Sequence, residues 1–74
     1  MNDTARLVRQ WRTRRGLSQA RLAELAGTGQ AAISRIESGR DLPTLVLLDR
    51  IALALDCHLT VNFTSTPQPP PPPV

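Results

Sequence analysis

Between Leu17 and Arg40 the chain reads LSQARLAELAGTGQAAISRIESGR, and this stretch leaves few folds open. Ser18 is a strong helix N-cap, because its hydroxyl can accept a first-turn backbone N–H. The helix it starts runs to about Ala26, with Leu22, Ala23 and Ala26 as its inward stripe. Gly27-Thr28-Gly29 forms a turn, and a second short helix follows from about Gln30 to Ser38. Ile33 and Ile36 face inward on that helix. Gln30, Ala31, Ser34 and Arg35 point the other way, so one rod carries an aliphatic back and a small, polar front.

The flanking segments supply the rest of a small core. Thr4 to Arg15 reads as a first helix, capped by Asp3 or Thr4. Its Val8 and Trp11 are directed inward with Leu7 beside them, and Gly16 closes it. The position of Trp11 one turn from Val8 assigns it to the core rather than to a recognition surface. After Gly39 and the loop Asp41-Leu42-Pro43, Thr44 caps a fourth helix. There Leu45, Leu48, Ile51, Ala52 and Leu55 keep helical spacing. Val46, Leu47 and Leu53 are apolar as well, so this helix calls for a second covering surface. From His58 to Phe63 the period changes to two, with Leu59, Val61 and Phe63 alternating with polar residues, which predicts a strand. A lone strand has no partner within this chain. Pairing with the same strand of a second copy, across a two-fold axis, is the simplest remedy. Thr64 to Val74 ends in five consecutive prolines and reads as an extended, disordered tail, with a groove that binds proline-rich segments as the alternative use.

The fold class expected is therefore all-α: four short helices in one domain over residues 1–63, a strand at about 58–63 that pairs across a homodimer, and a proline-rich tail over 64–74. A chain of 74 residues holds one small core, and a dimer would help to stabilise it. Cys57 is the single cysteine, which excludes an internal disulfide and fits a reducing cytosol. No apolar run is long enough to cross a bilayer, and no secretory signal is evident, so a prokaryotic cytosolic or nucleoid location and no membrane partner are expected.

The net charge of +3 says less than its distribution. Thr4 to Ala23 hold six arginines (Arg6, Arg9, Arg12, Arg14, Arg15 and Arg21) and no acid, whereas Glu24 onward holds three arginines and five acids. Basic charge gathered on the first two helices suits a phosphate-facing surface, although a solvated helix face has the same composition. Two short helices about a tight turn, the second with a polar front, make duplex DNA the leading partner. Gln30 is the best base reader, because its amide can both donate and accept, as adenine N6 and N7 require. Arg35 suits guanine O6 and N7 or a phosphate, Ala31 a thymine methyl, and Ser34 either strand.

Enzymatic readings fail on chemistry. Cys57 and His58 are neighbours on a strand and point apart, and a tetrahedral metal site needs four ligands. Ser18, Asp56 and His58 make no hydrolase triad, since Ser18 is required as a cap and no nucleophile elbow surrounds it. No glycine-rich phosphate loop is present. No enzyme activity, cofactor or metal is expected.

The segment from Leu7 to Leu55 resembles the Cro/C1-type (XRE) helix-turn-helix family of small repressors. The likeness rests on Gly16-Leu17-Ser18-Gln19, Leu22-Ala23, Ala26-Gly27, Ile33-Ser34, Ile36-Glu37, Gly39, Pro43, and Leu48 with Ile51-Ala52. LVRQ near the start and ALALDCHLTVNF near the end look further like HipB-type antitoxins, in which a strand after the last helix joins the dimer. The resemblance implies a lambda-repressor-like fold and a repressor that binds an inverted repeat as a homodimer. Gln19 would touch a phosphate and brace Gln30, with Thr28, Gly29, Arg40 and Arg12 as further phosphate contacts. Arg12 has a competing role as the structural partner of Glu37, and the ion pair is the preferred reading. Val46, Leu53, Leu59, Val61 and Phe63 are the expected dimer contacts. The HipB likeness adds a toxin partner such as a HipA-like kinase. The alternative is a protein-interaction or toxin-neutralising module that binds no DNA. This chain departs from the family at Thr28-Gly29, where an aliphatic and a serine are usual. Thr28 then seals the turn less well, and Gly29 offers no side-chain cap.

Overall fold

The computed structural model describes residues 3–67 and 71–73. Four α-helices follow one another: α1 (Asp3–Arg14), α2 (Gln19–Ala26), α3 (Gln30–Glu37) and α4 (Leu45–Ala54). The caps explain most of these bounds. The Ser18 hydroxyl accepts from the Arg21 N–H at 3.0 Å, and the Thr44 hydroxyl accepts from Leu47 N–H at 3.1 Å. Asp3 is already helical and pairs with Arg6, so neither it nor Thr4 is the residue that caps α1.

All four helices end in the same way. The N–H of a residue two or three positions past the helix reaches back to a carbonyl five positions earlier, from Leu17 to Arg12, Thr28 to Ala23, Arg40 to Arg35 and Cys57 to Ala52, at 2.8–3.1 Å. The residue between must adopt a left-handed conformation. Glycine fills that place three times, and Gly27 (φ 71°) is the one that turns α2 toward α3. At the end of α4 the place belongs to Asp56, with φ 57°, where its Cβ crowds the backbone. Asp56→Gly is expected to stabilise the domain by about 0.5 kcal/mol, the relief of the Cβ contact less the added freedom of the unfolded chain. Thermal unfolding would show a midpoint about 2–4 °C higher; an unchanged or lower one would mean that the aspartate is at ease there.

Val8, Leu22, Ala23, Ala26, Ile33, Ile36, Ile51 and Leu55 form the core, with Leu22, Ile33 and Ile51 fully enclosed. Trp11, Leu17, Leu47 and Leu48 pack against it from the rim. Ala23 and Ala26 are small where α2 lies against both α3 and α4. Leu7 departs from expectation. It is 45% exposed, because it sits on the lip of an apolar groove of about 290 Å³ between α1, α4 and residues 57–60 rather than inside the core.

Two arginines tie helix ends together. Arg15 Nε donates to the Leu55 carbonyl at 2.9 Å, and Arg50 Nε donates to the Ala26 carbonyl at 3.0 Å. Carbonyls at helix C-termini lack helical donors and carry partial negative charge, so a guanidinium fits them. The arginine-rich first helix thus serves packing as well as charge. Arg14 and Arg15 also lie over the Trp11 ring, 4.6 and 5.3 Å from its centre.

Residues 58–63 carry no regular secondary structure, and no strand occurs among the described residues. The expected strand is absent from the single chain for the reason already given: nothing in one copy offers a ladder to pair with. Leu59 is half-buried against the groove, while Val61 and Phe63 are exposed. Residues 64–67 and 71–73 are likewise without regular structure and exposed; the rest of the proline-rich segment, 68–70 and 74, lies outside the described residues.

Candidate nucleic-acid interface

The site is assembled from one buried carboxylate outward. Glu37 occupies the last turn of α3, with only 4% of its side chain exposed. Arg12 of α1 meets it with two parallel bonds, Nε to Oε2 at 2.7 Å and Nη2 to Oε1 at 3.0 Å. The remaining nitrogen, Nη1, donates to the Leu17 carbonyl at 2.8 Å. Gln19, the first residue of α2, donates from Nε2 to the same Oε1 at 3.2 Å. Three helices and the α1–α2 loop are therefore fastened at one point. The hydrogen bond to Glu37 holds the Arg12 guanidinium above its ordinary pKa, against the opposing effect of desolvation. Among the described residues no buried side-chain nitrogen or oxygen lacks a partner.

This network contains the Arg12–Glu37 pair preferred from the sequence and corrects one expectation, the brace assigned to Gln19. Gln19 braces Glu37 rather than Gln30, since a carboxylate is a stronger acceptor than an amide. Arg12 has all three nitrogens engaged inside the fold, so its charge is directed at Glu37 and the Leu17 carbonyl.

With its back held this way, α3 presents a clean front. Gln30, Ala31, Ser34 and Arg35 are all exposed, while Ile33 and Ile36 are buried, Ala32 is half-buried and the Glu37 side chain is turned inward. At 100° per residue the four exposed side chains span an arc of about 140°. The Gln30 side chain makes no hydrogen bond to another described residue, so its amide is uncommitted. Gly29 caps α3 in an extended conformation without a side-chain bond, so the first-turn N–H groups of Gln30 and Ala31 also face outward unclaimed. Thr28 is half-buried beside them, and Gly29 is exposed.

At the other end of α3 the chain folds back sharply. The Arg35 carbonyl accepts from Arg40 N–H at 2.9 Å, from Asp41 N–H at 3.2 Å and from the Ser38 hydroxyl at 3.0 Å. That reversal brings Asp41 alongside Arg35, whose Nε donates to Oδ2 at 2.8 Å. Sequence reasoning missed this pair, because a six-residue offset crosses the end of a helix and no helical periodicity predicts it. The side chains of Arg40 and Arg9 form no hydrogen bond or ion pair among the described residues. Those of Arg6 and Arg21 pair with Asp3 and Glu24 on their own helices. Of the six arginines before Glu24, Arg6, Arg12 and Arg21 pair with carboxylates, Arg15 holds a carbonyl, and the side chains of Arg9 and Arg14 form no hydrogen bond or ion pair among the described residues; half of the charge read from the sequence is thus paired within the fold.

Such an arrangement, two short helices fixed at a set angle with the second displaying an open polar face, defines a helix-turn-helix protein. The helix-turn-helix family profile HTH_3 matches residues 8–62, and the chain belongs to that family. It is 45% identical over 49 residues to an uncharacterised HTH-type transcriptional regulator of Methanothermobacter thermautotrophicus, covering 66% of this chain and 71% of the relative. It is 38% identical over 61 residues to the HTH-type transcriptional regulator SutR of Escherichia coli, covering 82% of this chain and 34% of SutR. Among solved structures, the restriction-modification controller protein C.AhdI of Aeromonas hydrophila superposes with a TM-score of 0.73 at 34% identity, over 74% of this chain and 80% of the controller. An HTH_3 family transcriptional regulator of Vibrio cholerae gives 0.70 at 35% identity, over 73% of this chain and 30% of that one. Family and fold are those of non-enzymatic regulators. Among the described residues, no helix is long and apolar enough to cross a membrane, and no group of three or more His, Cys, Asp or Glu is placed to hold a metal ion.

Proposed function

We propose that this chain is a sequence-specific DNA-binding transcriptional regulator that lays α3 in the major groove. The carrying observation is the exposed front of α3, with Gln30, Ala31, Ser34 and Arg35 displayed from a helix whose back is locked into the core. Base edges in that groove offer the donor and acceptor patterns that an amide and a guanidinium match. Gln30 reads adenine, Arg35 guanine, Ala31 a thymine methyl, and Ser34 assists. Gln19, Thr28, Gly29 and Arg40 flank this front in sequence and serve the phosphates, which fix register and supply affinity. Arg12 belongs to the scaffold instead.

The operator is an inverted repeat read by a homodimer, with recognition helices about 34 Å apart. Val46, Leu53, Val61 and Phe63 are 58–101% exposed and, with Leu59, provide apolar surface that a second copy would cover. Residues 58–63 gain in that contact the ladder partner that they lack alone. Repression by occlusion is the mode such a dimer performs without any further surface. The relatives above are named as transcriptional regulators, and one structural neighbour as a controller protein. Regulation, rather than holding a HipA-like toxin, is therefore the reading carried forward.

Duplex binding measured across ionic strength tests the mechanism. Each phosphate neutralised by an arginine is expected to add about −0.9 to the slope of log K against log salt. A slope near zero, or no binding to any duplex at low salt, would replace this reading with that of a protein-interaction module.

A further inference from the structure

We propose that Asp41 is a positioning residue for base recognition: it orients the Arg35 guanidinium so that its two terminal nitrogens face a guanine. This rests on the reading that α3 enters the major groove. Arginine is long and flexible, and alone it samples many rotamers over an open surface. Here Nε is held by Asp41 Oδ2 at 2.8 Å, while Nη1 and Nη2 bond to no other described residue. Those two nitrogens are the pair that meets O6 and N7 of guanine end-on. The acceptor is itself fixed, because Asp41 N–H and Arg40 N–H both bond to the Arg35 carbonyl. Backbone and side chain of residue 41 are therefore both referenced to residue 35.

The pair is roughly half exposed on each side, 49% for Arg35 and 51% for Asp41. Such a pair contributes little to folding. An acid beside a DNA-facing helix also opposes the phosphates. Its cost in affinity and its small structural value leave orientation as the property it supplies. Asp41 is thus a determinant of specificity that need not touch the DNA.

Competition binding of the full chain to its best selected duplex, and to duplexes altered at one base pair at a time, tests the assignment. Asp41→Ala is expected to reduce the preference for guanine at one position of each half-site by about fivefold to tenfold, part of the value of a full bidentate contact. Binding to unrelated duplex should hold or rise. Asp41→Asn, which keeps an acceptor oxygen in place, should retain most of the preference. In an Arg35→Ala background, Asp41→Ala should change no base preference. An Asp41→Ala protein with an unaltered preference at every position, or one whose affinity shifts equally for all duplexes, overturns the assignment while leaving the DNA-binding reading intact. A wild-type chain that prefers no duplex overturns both.

Discussion

Glu37→Ala is expected to lower the free energy of unfolding by about 3 kcal/mol, because it leaves the Arg12 guanidinium without its counter-charge at a site only 17% exposed. A domain of 74 residues has roughly 4–11 kcal/mol in all, so the loss is a large share of the total. The cost is greater than for an exposed pair because water cannot replace the lost carboxylate. Arg12→Ala should cost a similar amount. The double substitution should cost clearly less than the two added together, since removing both partners leaves no unpaired charge behind. Denaturant titration of the four proteins gives the coupling; additive losses, or a Glu37→Ala loss below about 0.5 kcal/mol, would mean that the pair behaves like a surface one. The contribution is constant through neutral pH. A cation whose folded pKa is raised stabilises the fold at all pH below its unfolded value, and for Arg12 that limit lies in strong alkali.

Combining Gln30→Ala with Arg35→Ala is expected to abolish discrimination between operator and unrelated duplex while the fold is kept. Each bidentate base contact is worth about 1–3 kcal/mol, so the pair together accounts for roughly thirtyfold to twenty-five-thousandfold in preference. Both side chains are exposed and outside the core, and stability should change little. Residual, salt-sensitive binding should persist, since phosphate contacts remain. Retained discrimination in the folded double variant would move base reading away from α3.

The helices and the face of α3 are legible in the chain because they depend on local chemistry. Ser18 and Thr44 cap, Gly16, Gly27 and Gly39 turn, and the aliphatic spacing of Ile33 and Ile36 fixes which side of α3 is left over. Asp56 escapes the same reading because it takes a glycine's conformation without being one. What the arginines do is also hidden. Arg15 and Arg50 look like surface charge in the sequence, yet each closes a helix end 40 and 24 residues away. Asp41 looks like a loop acid until the reversal after Gly39 brings it to Arg35. Period-two patterning at 58–63 describes a preference for extended backbone, but ladder formation needs a partner that one chain cannot supply.

Selection of bound duplexes from a random pool, run in parallel with the wild-type chain and the Gln30→Ala/Arg35→Ala variant, bears most directly on the claim that α3 reads bases. Wild type should enrich an inverted repeat whose half-sites lie one helical turn apart, about 10 base pairs between centres, with guanine and adenine fixed in each half. The variant should enrich nothing. A wild-type pool that stays random, or a variant that enriches the same repeat, would contradict the account.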